Sequence, residues 1–239
     1  MERPSAHAVG AGILAVEMSD VKAVEMLYKI LMLAHPRRAA STSPDLERIR
    51  RALAATERPD RKPAGKQAAV ALVLAGEAAD LHVCLIRRAE HEPDRWSGHM
   101  ALPGGRVDAN DPSILAAAIR ETREEVGLRL DRAPYLGALG TMPVSAAGRP
   151  TGMSLSSFVF DFGDVLERFT LSDEVAEAFW VPLRHLLDAR NAARRPTLRD
   201  GVSLDRPAIV YQGHHIWGLT YRVLTMFFEQ MQLRIARPD

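Results

Sequence analysis

The sequence predicts an α+β fold, a layered sandwich of helices and sheet, and not a doubly wound sheet. Three observations carry this. Two short runs rich in leucine and β-branched residues, 67–74 and 81–87, flank a turn-like stretch at 76–80, which is the signature of strand, turn, strand. Apolar residues recur at helical spacing across 112–126 and 217–230. Strands and helices then follow one another without the regular βαβ alternation that a doubly wound sheet needs.

Taken in order, the chain opens with an apolar, methionine-rich stretch at 21–34. Val24, Leu27, Ile30 and Leu31 fall at amphipathic-helix spacing, and Pro36 and the polar run 41–44 break it. Such a segment packs on the domain, forms a contact in a homodimer or is partly disordered, and a docked helix is the expectation. A second helix is expected over 45–56, with Leu46, Ile49 and Leu53 on one face, followed by a linker at 61–65. Residues 89–110, with their glycines, prolines and charges, read as loop. Residues 112–126 form a helix that Gly127 ends. Strands follow at 135–141 and 154–162, and a short helix at 180–188 comes after a strand end. Residues 209–212 form a strand with a turn at Gly213, and 217–230 form a long amphipathic helix. The expected division is a helical extension and linker at 1–62, a main domain at 63–233 and a tail at 234–239.

Composition narrows the function classes. The 239 residues are 47% hydrophobic and 26% charged, with a formal net charge of +1. That balance gives no general affinity for polyanions, so no nucleic-acid partner is expected. No apolar run reaches the ~18 residues that span a bilayer, so no membrane partner is expected either. The run at 11–16 is too short for a signal peptide. The single cysteine, Cys84, sits in an apolar run and reads as core; a reducing cytoplasm fits such usage.

The chemistry concentrates on the helix at 112–126. Placed at 100° per residue with Glu121 at zero, Glu125 falls at about +40° and Glu124 at about −60°. Three carboxylates therefore share one face, while Leu115, Ile119, Thr122 and Val126 share another. Like charges three and four apart repel by a few tenths of a kcal/mol per pair. A hard divalent cation such as Mg²⁺ reverses that, because it binds carboxylate oxygens and bridges to substrate phosphates. The alternative is a solvated charged helix. Upstream, Gly104 and Gly105 let the backbone turn sharply and approach other groups closely. Arg120 directly precedes Glu121 and can brace a neighbouring carboxylate, and Asp111 lies in the intervening loop.

This stretch resembles the Nudix box: Gly, five residues, Glu, seven residues, then Arg-Glu-apolar-x-Glu-Glu-x-Gly-apolar. Gly105, Arg120, Glu121, Glu124, Glu125, Gly127 and Leu128 match. Two positions depart. Asp111 stands in place of the first Glu, eight residues before Arg120, and Thr122 replaces the aliphatic residue. The resemblance implies an α/β/α sandwich around a mixed β-sheet, and hydrolysis of a diphosphate linkage in a nucleotide derivative. It implies that Glu121, Glu124 and Glu125 hold Mg²⁺ or Mn²⁺ and that Arg120 belongs to the catalytic set. A general base is also needed: one of the helix glutamates, or Glu174 from a later loop. Glu174 can equally be a helix-start acid.

Upstream of the box, Leu85-Ile86-Arg87-Arg88 and the segment from Arg95 to Gly105 resemble the coenzyme A pyrophosphatase branch. Ile216-Trp217-Gly218-Leu219-Thr220 resembles it too. Two residues separate Arg95 from Gly98 where the branch has three, and Leu102 replaces Phe. The implied substrate is coenzyme A or acyl-CoA, cut to 3′,5′-ADP and (acyl-)4′-phosphopantetheine. Other readings are a Nudix hydrolase of ADP-sugars, dinucleotides or nucleoside triphosphates, and a non-catalytic nucleotide sensor. Arg87, Arg88 and Arg95, with Gly104 and Gly105, are the candidate substrate contacts, against solvated surface arginines. Trp96 and Trp217 stack on adenine or pack in the core, and core is the expectation for Trp217 and Trp180. His99 contacts phosphate or makes a structural hydrogen bond.

Overall fold

A computed structural model of the chain describes residues 44–54, 56, 65–90, 97–146, 149–199 and 202–238. The sequence expectations for the helix at 21–34 and for Arg95 and Trp96 fall outside these residues.

The central sheet grows from β1 (Lys66–Ala75). Its residues alternate between two apolar clusters: Leu72 and Leu74 join one, Ala69, Ala71 and Val73 the other. A strand buried on both faces reads as a near-continuous apolar run, as this one does. β1 meets β2 (His82–Arg88) antiparallel at Leu74↔Val83 and Ala75↔His82. It runs parallel to β6 (Arg149–Asp161) along nearly its whole length, which makes the sheet mixed. β6 pairs antiparallel with β5 (Tyr135–Ala146). β2 pairs antiparallel with β7 (Val175–Pro182).

Residues 89–110 are not all loop. They contain β3 (Met100–Ala101), paired with β2, and β4 (Gly104–Arg106), paired with β1. Strands β1 to β7 form one seven-stranded sheet. Glycine hides β4 from sequence reading because it has little strand preference of its own, yet the pairing requires it. A Cβ on Gly104 would stand 2.2 Å from the Ala69 carbonyl oxygen, and its φ of +144° disfavours any side chain.

Helices cover both faces. α1 (Leu46–Leu53) is capped by Asp45 and buries Ile49 and Leu53 in the first cluster. These residues, assigned by sequence to the extension, thus pack into the same core as β5. α2 (Ile114–Val126) lies on the opposite face with the second cluster. α3 (Leu183–Leu187) follows β7, and α4 (Gly218–Gln230) packs Val223, Leu224, Phe227 and Phe228 into the first cluster. The layers are those of an α/β/α sandwich.

A smaller sheet of β8 (Ala192–Arg199), β9 (Val202–Tyr211) and β10 (His214–Trp217) precedes α4. β9 and β10 join through Gln212 and Gly213, both at positive φ, as a two-residue hairpin turn demands. Sequence reading finds only the end of β9, since Ala-Ala-Arg-Arg-Pro in β8 shows no apolar alternation. No helix among the described residues is long and apolar enough to cross a membrane.

Candidate active site

α2 is fixed at both ends by local chemistry. The Ser113 hydroxyl accepts from the Ala116 N–H at 3.1 Å, and Gly127 closes the helix at φ +79°, its N–H donating to Arg123 O. Thr122, fully buried, donates its hydroxyl to the Ala118 carbonyl at 2.7 Å and leaves its methyl for the core. The departure from an aliphatic residue is thereby accommodated without an unsatisfied polar atom.

The helix turns two of its acids onto β4. Glu125 is 3% exposed and accepts the Gly104 N–H at 2.7 Å. Burial pushes its carboxyl up to about 8; the Gly104 bond and Arg88 oppose this, and the charges of Glu121 and Glu174 add to it. Glu121 lies against Gly105, where a Cβ would stand 2.5 Å from the carboxylate carbon. Burial also raises Glu121, with Arg120 opposing. Glu124 lies outward, 58% exposed. The glycine pair therefore serves the acids directly: one amide holds Glu125, and one absent side chain makes room for Glu121.

Arg120 organises this strip. Its Nε and Nη2 grip both oxygens of Asp111 at 3.0 Å. Its Nη1 reaches Glu121 at 3.0 Å and Glu124 at 2.9 Å, and Nη2 also donates to the Arg106 carbonyl. The bidentate partner is thus Asp111 rather than the adjacent Glu121. Asp111 is buried, accepts the Asp108 N–H at 2.8 Å, and is held below the usual carboxylate range chiefly by its bond to Arg120. Sequence spacing leaves its role undefined, whereas in the structure its oxygens are occupied by this clamp.

Glu174 sits exposed in the turn before β7, not at a helix start, because the strand begins at Val175. Its carbonyl accepts the Ala89 N–H, and its charge acts on both Glu121 and Glu125. The segment leading to it is tied to the end of α2: Thr170 N–H donates to Val126 O and Ser172 N–H to Glu125 O.

The arginine pair divides. Arg88 approaches Glu125 Oε1 to 4.0 Å. Arg87, its neighbour on a strand of period two, faces the other way and binds Glu177 through Nε and Nη2 at 2.7 Å. The structure brings together Gly104, Gly105, Arg88, Arg120, Glu121, Glu124, Glu125 and Glu174, and commits Arg87 to an ion pair across the sheet. Trp180, expected in the core, is half-buried: it donates its indole N–H to Glu167 O and packs on Phe169 at the edge of the second cluster.

Among the described residues, no three histidine, cysteine or acidic side chains converge closely enough to hold a metal ion as they stand. The donor chemistry nonetheless fits a hard divalent cation. Oxygen ligands are what Mg²⁺ takes, and a cation beside Glu121 and Glu125 would offset the burial and repulsion that raise both.

A carboxylate-lined helix packed on a glycine strand within an α/β/α sandwich presents oxygen donors for a hard divalent cation and for the phosphates it would bridge. The comparisons agree. The family model described as NUDIX domain matches residues 65–201. The mitochondrial coenzyme A diphosphatase NUDT8 of Homo sapiens is 33% identical over 186 residues, 77% of this chain and 76% of that protein. An uncharacterized Schizosaccharomyces pombe protein, C14C4.10c, is 43% identical over 109 residues, which is 44% of this chain but only 33% of that protein. The uncharacterized Nudix hydrolase NudL of Photorhabdus laumondii is 32% identical over 137 residues, 57% of this chain and 71% of that protein. The chain belongs to the Nudix family. Within it, the chain is a pyrophosphohydrolase acting on nucleotide derivatives.

Proposed function

We propose that the chain cleaves coenzyme A, free or acylated, at its diphosphate, giving 3′,5′-ADP and (acyl-)4′-phosphopantetheine. The observation that carries this reading is the similarity to the human coenzyme A diphosphatase across three quarters of both chains. In this reading Glu121, Glu124 and Glu125 would hold Mg²⁺ or Mn²⁺, which would neutralise diphosphate charge and lower the pKa of the attacking water. Arg120 is a positioning residue: anchored on Asp111, it fixes Glu121 and Glu124. Gly104 orients Glu125 through its amide. Glu174 accepts the proton of the attacking water as the new oxygen–phosphorus bond forms and the anhydride P–O bond breaks. The departing phosphate leaves as an anion, and Arg88, beside Glu125, balances its charge. The single, buried Cys84 suits a reducing compartment, and we place the reaction in the cytoplasm.

The test is turnover of a panel with Mg²⁺ or Mn²⁺: coenzyme A, an acyl-CoA, an ADP-sugar, a dinucleotide and a nucleoside triphosphate. Coenzyme A is expected to yield 3′,5′-ADP, and chelation to abolish the reaction. Far faster turnover of an ADP-sugar or a triphosphate would set the coenzyme A reading aside and leave the family assignment standing.

A further inference from the structure

The small sheet carries a second constellation, separate from the acidic helix. In the β8–β9–β10 register, Trp217 lies opposite Ala208, Ala208 opposite Ala193, and Arg206 opposite Arg195. Directly opposed residues share a face, and so do residues two apart. Trp217, Ala208, Ala193, Arg206 and Arg195 therefore line one face. The two alanines leave space over which Arg195 reaches the indole, its guanidinium carbon 4.6 Å from the Trp217 ring centroid. His99 meets the same indole edge-on at 4.9 Å. Trp217 is half-buried, so the indole is neither sunk in the core nor free in solvent.

The arginine pair calls for a partner. Like charges directly opposite on an antiparallel pair repel. Among the described residues neither Arg195 nor Arg206 forms an ion pair with a carboxylate, and Arg195 lies over the indole instead. A phosphate monoester would supply the missing charge to both, with geometry a guanidinium binds well.

The face also lies close to the acidic centre. The Arg88 N–H donates to the His99 carbonyl, while the Arg88 side chain approaches Glu125. Thr220, three residues past Trp217, donates its hydroxyl to the Met100 carbonyl. The small sheet is thus fastened to the strand that leads into Gly104 and Gly105.

We infer that Trp217, Arg195 and Arg206 form a binding site for a purine nucleoside carrying a phosphate monoester on the 3′ position of its ribose. On binding, the Arg195 guanidinium turns from the indole to the phosphate beside Arg206, and the base takes its place on the ring. This deepens the coenzyme A reading and rests on it for the identity of the nucleoside, whose 3′-phosphate is the group the arginines would select.

The test is calorimetric titration of the full chain with adenosine 3′,5′-bisphosphate and with AMP, which lacks the 3′-phosphate. Arg195→Gln and the exposed Arg206→Gln should each weaken the bisphosphate by about tenfold or more, with AMP changed by less than about threefold. Trp217→Leu should weaken both ligands alike, since each carries the same base. In turnover of coenzyme A, the arginine variants should raise KM and spare kcat. Equal loss of both ligands in the arginine variants, or no loss in either, would overturn the site. Because binding is read without turnover, the two readings separate. Cleavage of coenzyme A with unchanged titrations removes this site alone. A selective titration with no cleavage removes the substrate reading and keeps the site.

Discussion

The Gly104 N–H donates to the Glu125 carboxylate at 2.7 Å, across 21 residues of sequence. This one bond ties a sheet strand to the acidic helix. It also explains how a carboxylate can be buried to 3% exposure beside apolar residues. A buried acid without a donor destabilises the fold.

Glu125→Gln and Glu124→Gln should each lower kcat by at least ~10² with the fold intact, since a neutral amide is a poor ligand for Mg²⁺. The two differ in stability. Glu124 is 58% exposed, so its variant should melt like the parent, whereas Glu125→Gln changes a buried contact. Near-normal turnover in both, with magnesium present, would remove the acids from the metal role. Steady-state kinetics and thermal melts decide.

Gly105→Ala should impair activity more than stability. Its Cβ would fall 2.5 Å from the Glu121 carboxylate carbon, and the side chain can give way only by leaving its place. A catalytic group displaced by about 1 Å lowers turnover by as much as ~10². Gly104→Ala should do the reverse, since its Cβ meets backbone at 2.2 Å and the strand pairing itself must shift. Comparing kcat with the melting temperature of each variant tests the contrast.

Asp111→Asn should destabilise the chain at neutral pH by about 1–3 kcal/mol, because it breaks a bidentate pair with a buried carboxylate. The folded state holds the Asp111 pKa below its unfolded value. Its contribution is therefore present above the unfolded pKa of about 4, and is lost as pH falls through the lower folded value. Parent and variant should differ at pH 7 and converge as the solution is acidified past that window. Denaturant titrations at stepped pH read this directly, and a constant gap down to pH 2 would contradict it.

Deleting residues 1–40 should leave kcat within a few-fold, because the acidic centre and its braces all lie beyond residue 86. On the sequence, Val24, Leu27, Ile30 and Leu31 form an apolar stripe, so solubility, stability or oligomer size should fall. Extending the deletion to residue 54 should be far more damaging. Ile49 and Leu53 are at most 1% exposed in the main core, and losing such side chains costs about 2–5 kcal/mol each. Light scattering and melts of the two truncations beside the parent check both statements.

What the sequence by itself determined is the catalytic helix: its span, its cap at Gly127, its apolar and acidic faces. These follow from a period of 3.6 and from side chains that bond within a few residues, so local order is enough. The family, too, was legible there. The tertiary structure decided which partners those groups meet. Strand β4 exists because Ala69 and Val70 pair with two glycines that have no strand preference of their own. Asp111 became the anchor of Arg120 because the loop folds back over nine residues. Arg87 and Arg88, indistinguishable as sequence neighbours, separated onto opposite faces, one toward Glu177 and one toward Glu125. The small sheet and the face formed by Trp217, Arg195 and Arg206 are set by the register of two consecutive hairpins, whose strands show too little apolar alternation to mark a face in the sequence. Pairing between strands is a non-local interaction, and local pattern does not encode it.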